Sequence, residues 1–375
     1  MSETNHQTDI NNIIKKYLAN KSEGNRNSEM EMEVRFGTRG IKRTTKINYD
    51  NVIRTLLSHG FEIIQRGVHT LKITPEFTNV KGILKDSNMR VEINGLSNIE
   101  DYCKHNELKP DQFNIVQKNN AKTGEVYIQP VNVDEFNFRV SLANELAISP
   151  YRGMGEDMIS NWKNSKKSFR LMNRVSLEHP SNLFRVDLSI VKESRRRGRS
   201  YVMEYNLQDS GVLDSEENYE IEIEALNAKI SKDIEPKLVA TKMRQIIRYI
   251  LSGYQETNYP MSYNEMRTIS KDYLQLVYGK SDKDKLYNNQ FIGPSSYTLQ
   301  LPNIVPINSN MNSPNIRNSY TVTEKADGTR KILFINHIGV VILMDMNMNI
   351  QGTGVVCENK EVFNTIIDGE HILHN

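Results

Sequence analysis

Cysteine is scarce: Cys103 and Cys357 are the two cysteines in 375 residues, far apart and forming no CxxC pair. That excludes a disulfide scaffold and a zinc ribbon, and it suits a reducing compartment. Long apolar runs are missing too. No stretch of about 18 apolar residues could span a bilayer, and the N-terminus, MSETNHQTDINN, has neither the basic nor the apolar region of a signal peptide. No internal repeat is visible. Net charge is +2, too little to drive nucleic-acid binding through bulk electrostatics. What remains is an ordinary globular composition, 38% hydrophobic and 25% charged, in a chain long enough for two cores.

Charge is segregated locally instead. Basic residues concentrate at 163–199 and acidic ones at 214–224. Such a pattern suits either a site that joins an anionic ligand to a cation or a pair of solvated faces. Period-2 alternation marks strands at 29–36 (EMEMEVRF), 136–142 (FNFRVSL), 168–176 (SFRLMNRVS), 183–191 (LFRVDLSIV) and 219–226 (YEIEIEAL), with weaker candidates at 61–73, 89–94, 113–117 and 201–207. One early helix is expected over 49–58, ended by Gly60. Many short strands without alternating helices predict an antiparallel sheet or barrel. The texture changes near Asp233. Helices are expected over 234–252, with Gly253 just past the end, and over 262–277. An irregular Pro/Asn/Ser-rich stretch follows, and strands return from Tyr320 (YTVTEK, RKILFIN, GVVILMD, TIIDGEHIL). The expected domain boundary lies within 232–260.

The strands at 29–36 and 219–226 share an unusual feature. Glu29, Glu31, Glu33 and Arg35 fall on one face of the first, and Glu220, Glu222 and Glu224 on one face of the second, with apolar residues opposite. Glutamate is a poor strand former, and like charges stacked along one face repel. The faces are either solvated edges or the walls of a site for a hard divalent cation such as Mg²⁺ or Mn²⁺. Other strands carry cations in the same rhythm: Arg139 with Ser141, Arg170 with Arg174, and Arg185 with Asp187, with Lys192 further along. Polar residues facing inward on successive strands would line a hydrophilic barrel fit for metal and polyphosphate.

ExExRFG near the start and ExExE near residue 220, with RxS and RxDxS strands between, resemble the triphosphate tunnel metalloenzyme family, above all the RNA triphosphatase domains of large DNA viruses and poxvirus capping enzymes. The resemblance covers about 29–226. It implies an all-β-dominated α+β chain whose first domain, residues 1–235, is a closed eight-stranded antiparallel tunnel. It implies metal ligation by Glu31, Glu33, Glu222 and Glu224, with Arg139, Arg170, Arg174, Arg185 and Lys192 on phosphate. The implied chemistry is in-line attack of water on a γ-phosphate with Mg²⁺ or Mn²⁺ bound. Relatives carry a lysine near the position of Met172; this chain does not.

A second pattern, KxDGxR, stands at Lys325–Arg330 in YTVTEKADGTR, and IDGEHI follows at 367–372. A solvated hairpin lysine is the plain reading. Together the two look like motifs I and III of the covalent nucleotidyltransferases, the superfamily of capping guanylyltransferases and polynucleotide ligases. The resemblance implies that Lys325 attacks the α-phosphate of GTP as a neutral amine. It implies nucleotide contacts from Asp327, Gly328, Arg330 and Glu370, the last near ribose or metal. Residues 236–319 are then expected to be a helical and irregular linker that starts an incomplete α+β nucleotidyltransferase domain, and 320–375 its partial core. The later motifs of that family do not occur before Asn375, so a fragment is expected, with the rest of the guanylyltransferase and a possible methyltransferase downstream.

The combined expectation is cap formation on 5′-triphosphate RNA by a protein of the host cytoplasm or virion, with no membrane contact. The alternatives are an ATP-dependent polynucleotide ligase with an accessory domain and a non-catalytic polyphosphate- or RNA-binding barrel. Ligase chemistry calls for no pair of glutamate strands, and a binding barrel needs no second pair.

Overall fold

The computed structural model describes residues 2–21, 28–37, 42–78, 84–123, 126–198, 200–279, 285–294, 298–307 and 314–372. The chain forms two compact units, Met1–Glu256 and Thr257–Asn375.

Eight strands build the barrel of the first unit: β1 (Ser28–Phe36), β2 (Glu62–Thr78), β3 (Met89–Asn94), β4 (Phe113–Asn120), β5 (Phe138–Ile148), β6 (Lys167–Glu178), β7 (Phe184–Glu193) and β8 (Asn218–Ala225). They pair antiparallel in the order β1-β8-β7-β6-β2-β3-β4-β5, and β5 pairs back onto β1. The sheet therefore closes into the expected eight-stranded barrel, and closure leaves these strands no open edge.

The apolar face of each strand turns outward. Met32 and Val34 of β1, Val140 and Leu142 of β5, Val186 and Leu188 of β7, and Ile221 and Ile223 of β8 are buried together with residues of α1 (Ser2–Lys21), α2 (Lys46–Ser58) and a long helix at Pro236–Gln255. On the opposite wall Leu71, Ile73, Val91, Ile93 and Phe169 pack with Ile99 and Tyr102 of α3 (Leu96–His105), flanked by Met158 and Ile159 of α4 (Met154–Ser160). Each such side chain contributes about 1.5–3 kcal/mol. The hydrophobic core thus lies around the barrel, and the interior is left to polar groups.

Three helices of the first unit differ from expectation. Helix α1 was not foreseen; Ile13, Ile14, Tyr17 and Leu18 bury one of its faces. The helix expected over 234–252, here α5, runs Pro236–Gln255 and includes Gly253, ending instead at Glu256 in the left-handed region with φ 53°. Gly253 serves packing rather than termination, because a Cβ there would lie 2.7 Å from Val52 Cα of α2. Helix α5 accordingly belongs to the core of the first unit and not to a linker. Helix α2 starts earlier than expected because the Thr45 hydroxyl accepts from Asn48 N (3.2 Å) while the Asn48 side chain accepts from Thr45 N (3.1 Å).

The second unit holds α6 (Tyr263–Tyr278) and a four-stranded antiparallel sheet of β9 (Thr329–Ile335), β10 (Val340–Asp345), β11 (Ile350–Val356) and β12 (Thr365–His371), ordered β11-β10-β9-β12. Ile332, Phe334, Ile342 and Met344 pack on Ile269, Tyr273 and Leu274 of α6. The strand expected at YTVTEK does not form. Residues 320–328 join no ladder among the described residues, and Val322 is 99% exposed. Alternation without a partner strand does not hold a strand in place. Among the described residues no helix is long and apolar enough to cross a membrane.

Candidate active site

The inward faces of the barrel enclose a cavity of about 430 Å³. Glu31, Glu33, Glu222, Glu224, Arg170, Arg174 and Arg185 all line it, as the sequence pattern requires. Register sets the geometry: Glu33 stands directly opposite Glu224, and Arg35 opposite Glu222, across β1 and β8. Two carboxylates directly opposed on neighbouring strands repel unless a cation lies between or beside them.

Each glutamate meets cations. Lys118 of β4 reaches Glu31 at 2.8 Å, Glu33 at 3.5 Å and Glu145 at 3.6 Å, and Ser141 donates to Glu33 at 3.2 Å. Burial would lower the Lys118 pKa, but Glu33 and Glu31 raise it further. Burial pushes the carboxyls of Glu31 and Glu224 up despite Lys118 and Arg185 beside them. Glu222 is different. One oxygen binds Arg35 Nε at 2.8 Å and the other faces Arg174 Nη2 at 3.3 Å. Burial alone would raise its pKa; Arg35 and Arg174 override that and hold it at about 2. Asp187, 1% exposed, holds two of the interior guanidiniums: it binds Arg174 at 2.9 Å and Arg185 at 2.9 Å, and accepts from Ser176 at 2.6 Å.

Hard carboxylate oxygens of Glu31, Glu33 and Glu224 on adjoining walls suit a divalent cation in donor chemistry. As the side chains stand, no three His, Cys, Asp or Glu among the described residues converge tightly enough to hold one. Lys118 and Arg185 lie against these carboxylates instead, and Glu222 has both oxygens engaged.

Two expected phosphate contacts lie elsewhere. Lys192 is on the outer face of β7, where its ammonium donates to the Leu213 carbonyl at 2.9 Å. Arg185, Asp187 and Ser189 face inward, so period 2 turns residue 192 away. Arg139 lines an adjoining cavity, with Nε donating to Asn132 Oδ1 at 2.8 Å. Of the outer members of the glutamate faces, Glu220 pairs with Arg170, and Glu29 accepts from Asn227 at 2.6 Å.

Sequence reasoning missed Lys72, Arg90, Glu92, Lys118 and Glu145, which complete the wall. Arg90 bridges Glu92 at 2.6 Å and Glu145 at 2.8 Å, and Lys72 lies 3.2 Å from Glu92. Lys72 is opposite Arg170, one inward position from Met172. An ammonium therefore stands beside Met172, although it arises from a neighbouring strand.

Arg195 and Arg196 border a larger cavity of about 790 Å³ at the end of the barrel where β1 finishes, with Arg35, Arg43 and Arg170 in the same lining. Arg196–Arg197 pair with Ser200–Tyr201 across a turn at Gly198, φ 64°. Arg199 lies outside the described residues. Arg196 is held by Glu193 at 2.9 Å and lies 4.2 Å from the Tyr201 ring centroid.

In the second unit β9 and β12 bring Arg330, the last residue of the lysine motif, against the DGE motif, opposite Glu370. Arg330 grips Asp368 with two bonds of 3.0 and 2.7 Å and donates to the Pro294 carbonyl at 2.6 Å. Gly328 is required by a close approach: a Cβ would lie 2.6 Å from the His371 carbonyl oxygen. Lys325 and Asp327 are on the exposed segment before β9, where the Lys325 ammonium donates to the Ala326 carbonyl at 3.2 Å.

The family described as mRNA capping enzyme, catalytic domain, matches residues 284–375. That stretch is similar to the catalytic domain of mRNA capping enzymes. A probable mRNA-capping enzyme of Acanthamoeba polyphaga mimivirus is 31% identical over 155 residues, which is 41% of this chain and 11% of that protein. The chain thus matches a small part of the length of this curated relative. Among solved structures, the mimivirus capping enzyme triphosphatase is 18% identical with a TM-score of 0.40, covering 63% of this chain and 93% of its own. The S. pombe Pct1 RNA triphosphatase is 16% identical with a TM-score of 0.37, covering 64% and 89%. At these scores the likeness adds nothing to the strand pairing itself. The matched stretch contains Lys325, Asp327, Gly328, Arg330 and Glu370; the barrel precedes it.

Proposed function

We propose that the chain acts in mRNA cap formation, with the barrel hydrolysing the γ-phosphate of 5′-triphosphate RNA and the second unit contributing the lysine of a guanylyltransferase. One observation carries the reading. A closed barrel keeps its apolar faces outside and gathers Glu31, Glu33, Glu222 and Glu224 with Arg170, Arg174 and Arg185 in one interior cavity. A core built for stability alone would not be lined this way.

Arg170, Arg174, Arg185 and Lys72 neutralise the phosphate oxygens, and Asp187 keeps two of these guanidiniums oriented before substrate arrives. Glu31, Glu33 and Glu224 would hold a Mg²⁺ or Mn²⁺ ion, which would supply positive charge to the terminal phosphate. Lys118, now 2.8 Å from Glu31 and 3.5 Å from Glu33, would have to leave both carboxylates. Glu222 fixes Arg35 and Arg174. Incubating the chain with γ-labelled 5′-triphosphate RNA tests the reading; diphosphate ends support it, and intact triphosphate ends contradict it.

The hairpin at Arg195–Arg197 captures RNA outside the chemistry. Glutamine at all three positions is expected to weaken binding to long RNA and to flatten its salt dependence by about 0.7 log-log units per lost phosphate contact. Filter binding at several salt concentrations measures this. Equal losses in hydrolysis of RNA and of free nucleoside triphosphate would place these arginines in the tunnel.

In the second unit Lys325 is the proposed acceptor of GMP, with Arg330 held ready by Asp368. The chain is expected to accumulate little covalent GMP, because Lys325 lies on an exposed segment outside any described strand. α-Labelled GTP with a divalent metal, followed by denaturation, measures the adduct. Strong labelling that disappears in Lys325→Ala would contradict this, and labelling from ATP over GTP would favour a ligase.

A further inference from the structure

Beside the charged cavity, and sharing Glu33, Arg35 and Lys118 with it, lies a recess of about 560 Å³. Its remaining walls are of another chemical kind. Asn119 and Asn120 end β4, Tyr127 and Gln129 sit on the segment that follows, and Arg139 and Ser141 begin β5.

Antiparallel pairing fixes where this recess lies. Arg35 is opposite Arg139, and Asn120 is opposite Ala143. The last residues of β1 and the first of β5 therefore meet at one end of the barrel, and β4 ends further in, opposite Ala143, which also pairs with Glu31. The end at Arg35 also carries the larger cavity, lined by arginines and glutamates alike. Glu31 and Glu224 lie deeper along the same axis, since Glu31 precedes Arg35 on β1 and Glu224 follows Glu222 on β8.

The two linings suit two parts of one ligand. A polyphosphate calls for guanidinium and ammonium groups, which the tunnel supplies. Carboxamides that both donate and accept, beside an exposed aromatic ring, suit the edge and face of a nucleobase. Tyr127 is 53% exposed, and the Lys122 ammonium lies 4.6 Å from its ring centroid. The ring sits on a short hairpin in which Lys122 is opposite Tyr127. The bond from Arg139 Nε to Asn132 orients the guanidinium at the border of the recess.

We propose that this recess seats the first nucleoside of a triphosphate-ended RNA, with the base stacked on Tyr127 and its polar edge meeting Asn120 and Gln129. Arg139 meets the phosphate next to the sugar, and the terminal phosphate reaches inward to Glu31 and Glu224. The inference rests on the triphosphatase reading and deepens it: the barrel has a direction, and it distinguishes a nucleoside triphosphate end from a bare polyphosphate.

The test compares kcat/KM for triphosphate-ended RNA with kcat/KM for inorganic tripolyphosphate, in the full chain and in Tyr127→Ala, Tyr127→Phe and Asn120→Ala. The readout is the ratio of the two values within each protein, so a general loss of fold or activity cancels. Loss of a stacked ring is expected to lower the ratio roughly tenfold in Tyr127→Ala, with most of it restored in Tyr127→Phe and a smaller fall in Asn120→Ala. A ratio equal to wild type in both Tyr127→Ala and Asn120→Ala overturns the recess as a nucleoside seat and leaves the triphosphatase reading standing. A wild-type chain that cleaves neither substrate overturns both.

Discussion

Alanine at Glu33 or at Glu224 is expected to cut γ-phosphate release by about 100-fold or more while leaving the melting temperature unchanged or slightly raised. The activity loss follows from removing one oxygen donor of a divalent-ion site, where even the groups behind a ligand are worth about 10–100-fold. The stability outcome follows from register. Glu33 and Glu224 are directly opposed, and removing one relieves like-charge repulsion. Neither removal strands a cation, because Lys118 keeps Glu31 and Glu145, and Arg185 keeps Asp187. Steady-state phosphate release and thermal melting of the two variants check both halves. Near-wild-type turnover in either variant would mean that these carboxylates are a solvated face and not a site.

Glu222→Gln is expected to behave in the opposite way on stability, lowering it by about 3 kcal/mol along with activity. Its carboxylate is 17% exposed and divides its two oxygens between Arg35 and Arg174. Neutralising it takes from Arg35 its ion pair inside the barrel, although Arg174 keeps Asp187, and breaking a buried pair costs about 3–5 kcal/mol. Urea denaturation measures the difference. An unchanged midpoint would place Glu222 with Glu33 and Glu224 as a metal donor, and it would remove the division of labour along the β8 face.

The barrel was legible because its oddity is periodic. Charges at every second residue of EMEMEVRF and YEIEIEAL fix which face each glutamate occupies before any contact is known. The opposition of Glu33 to Glu224 was not legible, because register between strands so distant in sequence is set by closure of the whole sheet. Lys72, Arg90 and Glu92 lie in segments whose weaker alternation marked strands without singling out their charged faces. Lys118 and Glu145 lie just past the expected strand ends, and β4 and β5 continue through both. Lys192 could have been excluded by parity alone, since it is three residues from Ser189 on an alternating strand. Helix α1 was signalled by Ile10, Ile13, Ile14, Tyr17 and Leu18 at helical spacing, in a segment otherwise so polar that the pattern is easily passed over. Gly253 misled because a glycine that permits two helices to approach looks, in sequence, like one that ends a helix.

The central claim is that the interior glutamates make the barrel a metal-dependent triphosphatase. The measurement that tests it most directly is release of labelled γ-phosphate from 5′-triphosphate RNA by this chain, in Mg²⁺, in Mn²⁺ and in excess EDTA. Release that requires either ion and stops in EDTA is the expected result. Undiminished release in EDTA, or no release with either ion, would contradict the account.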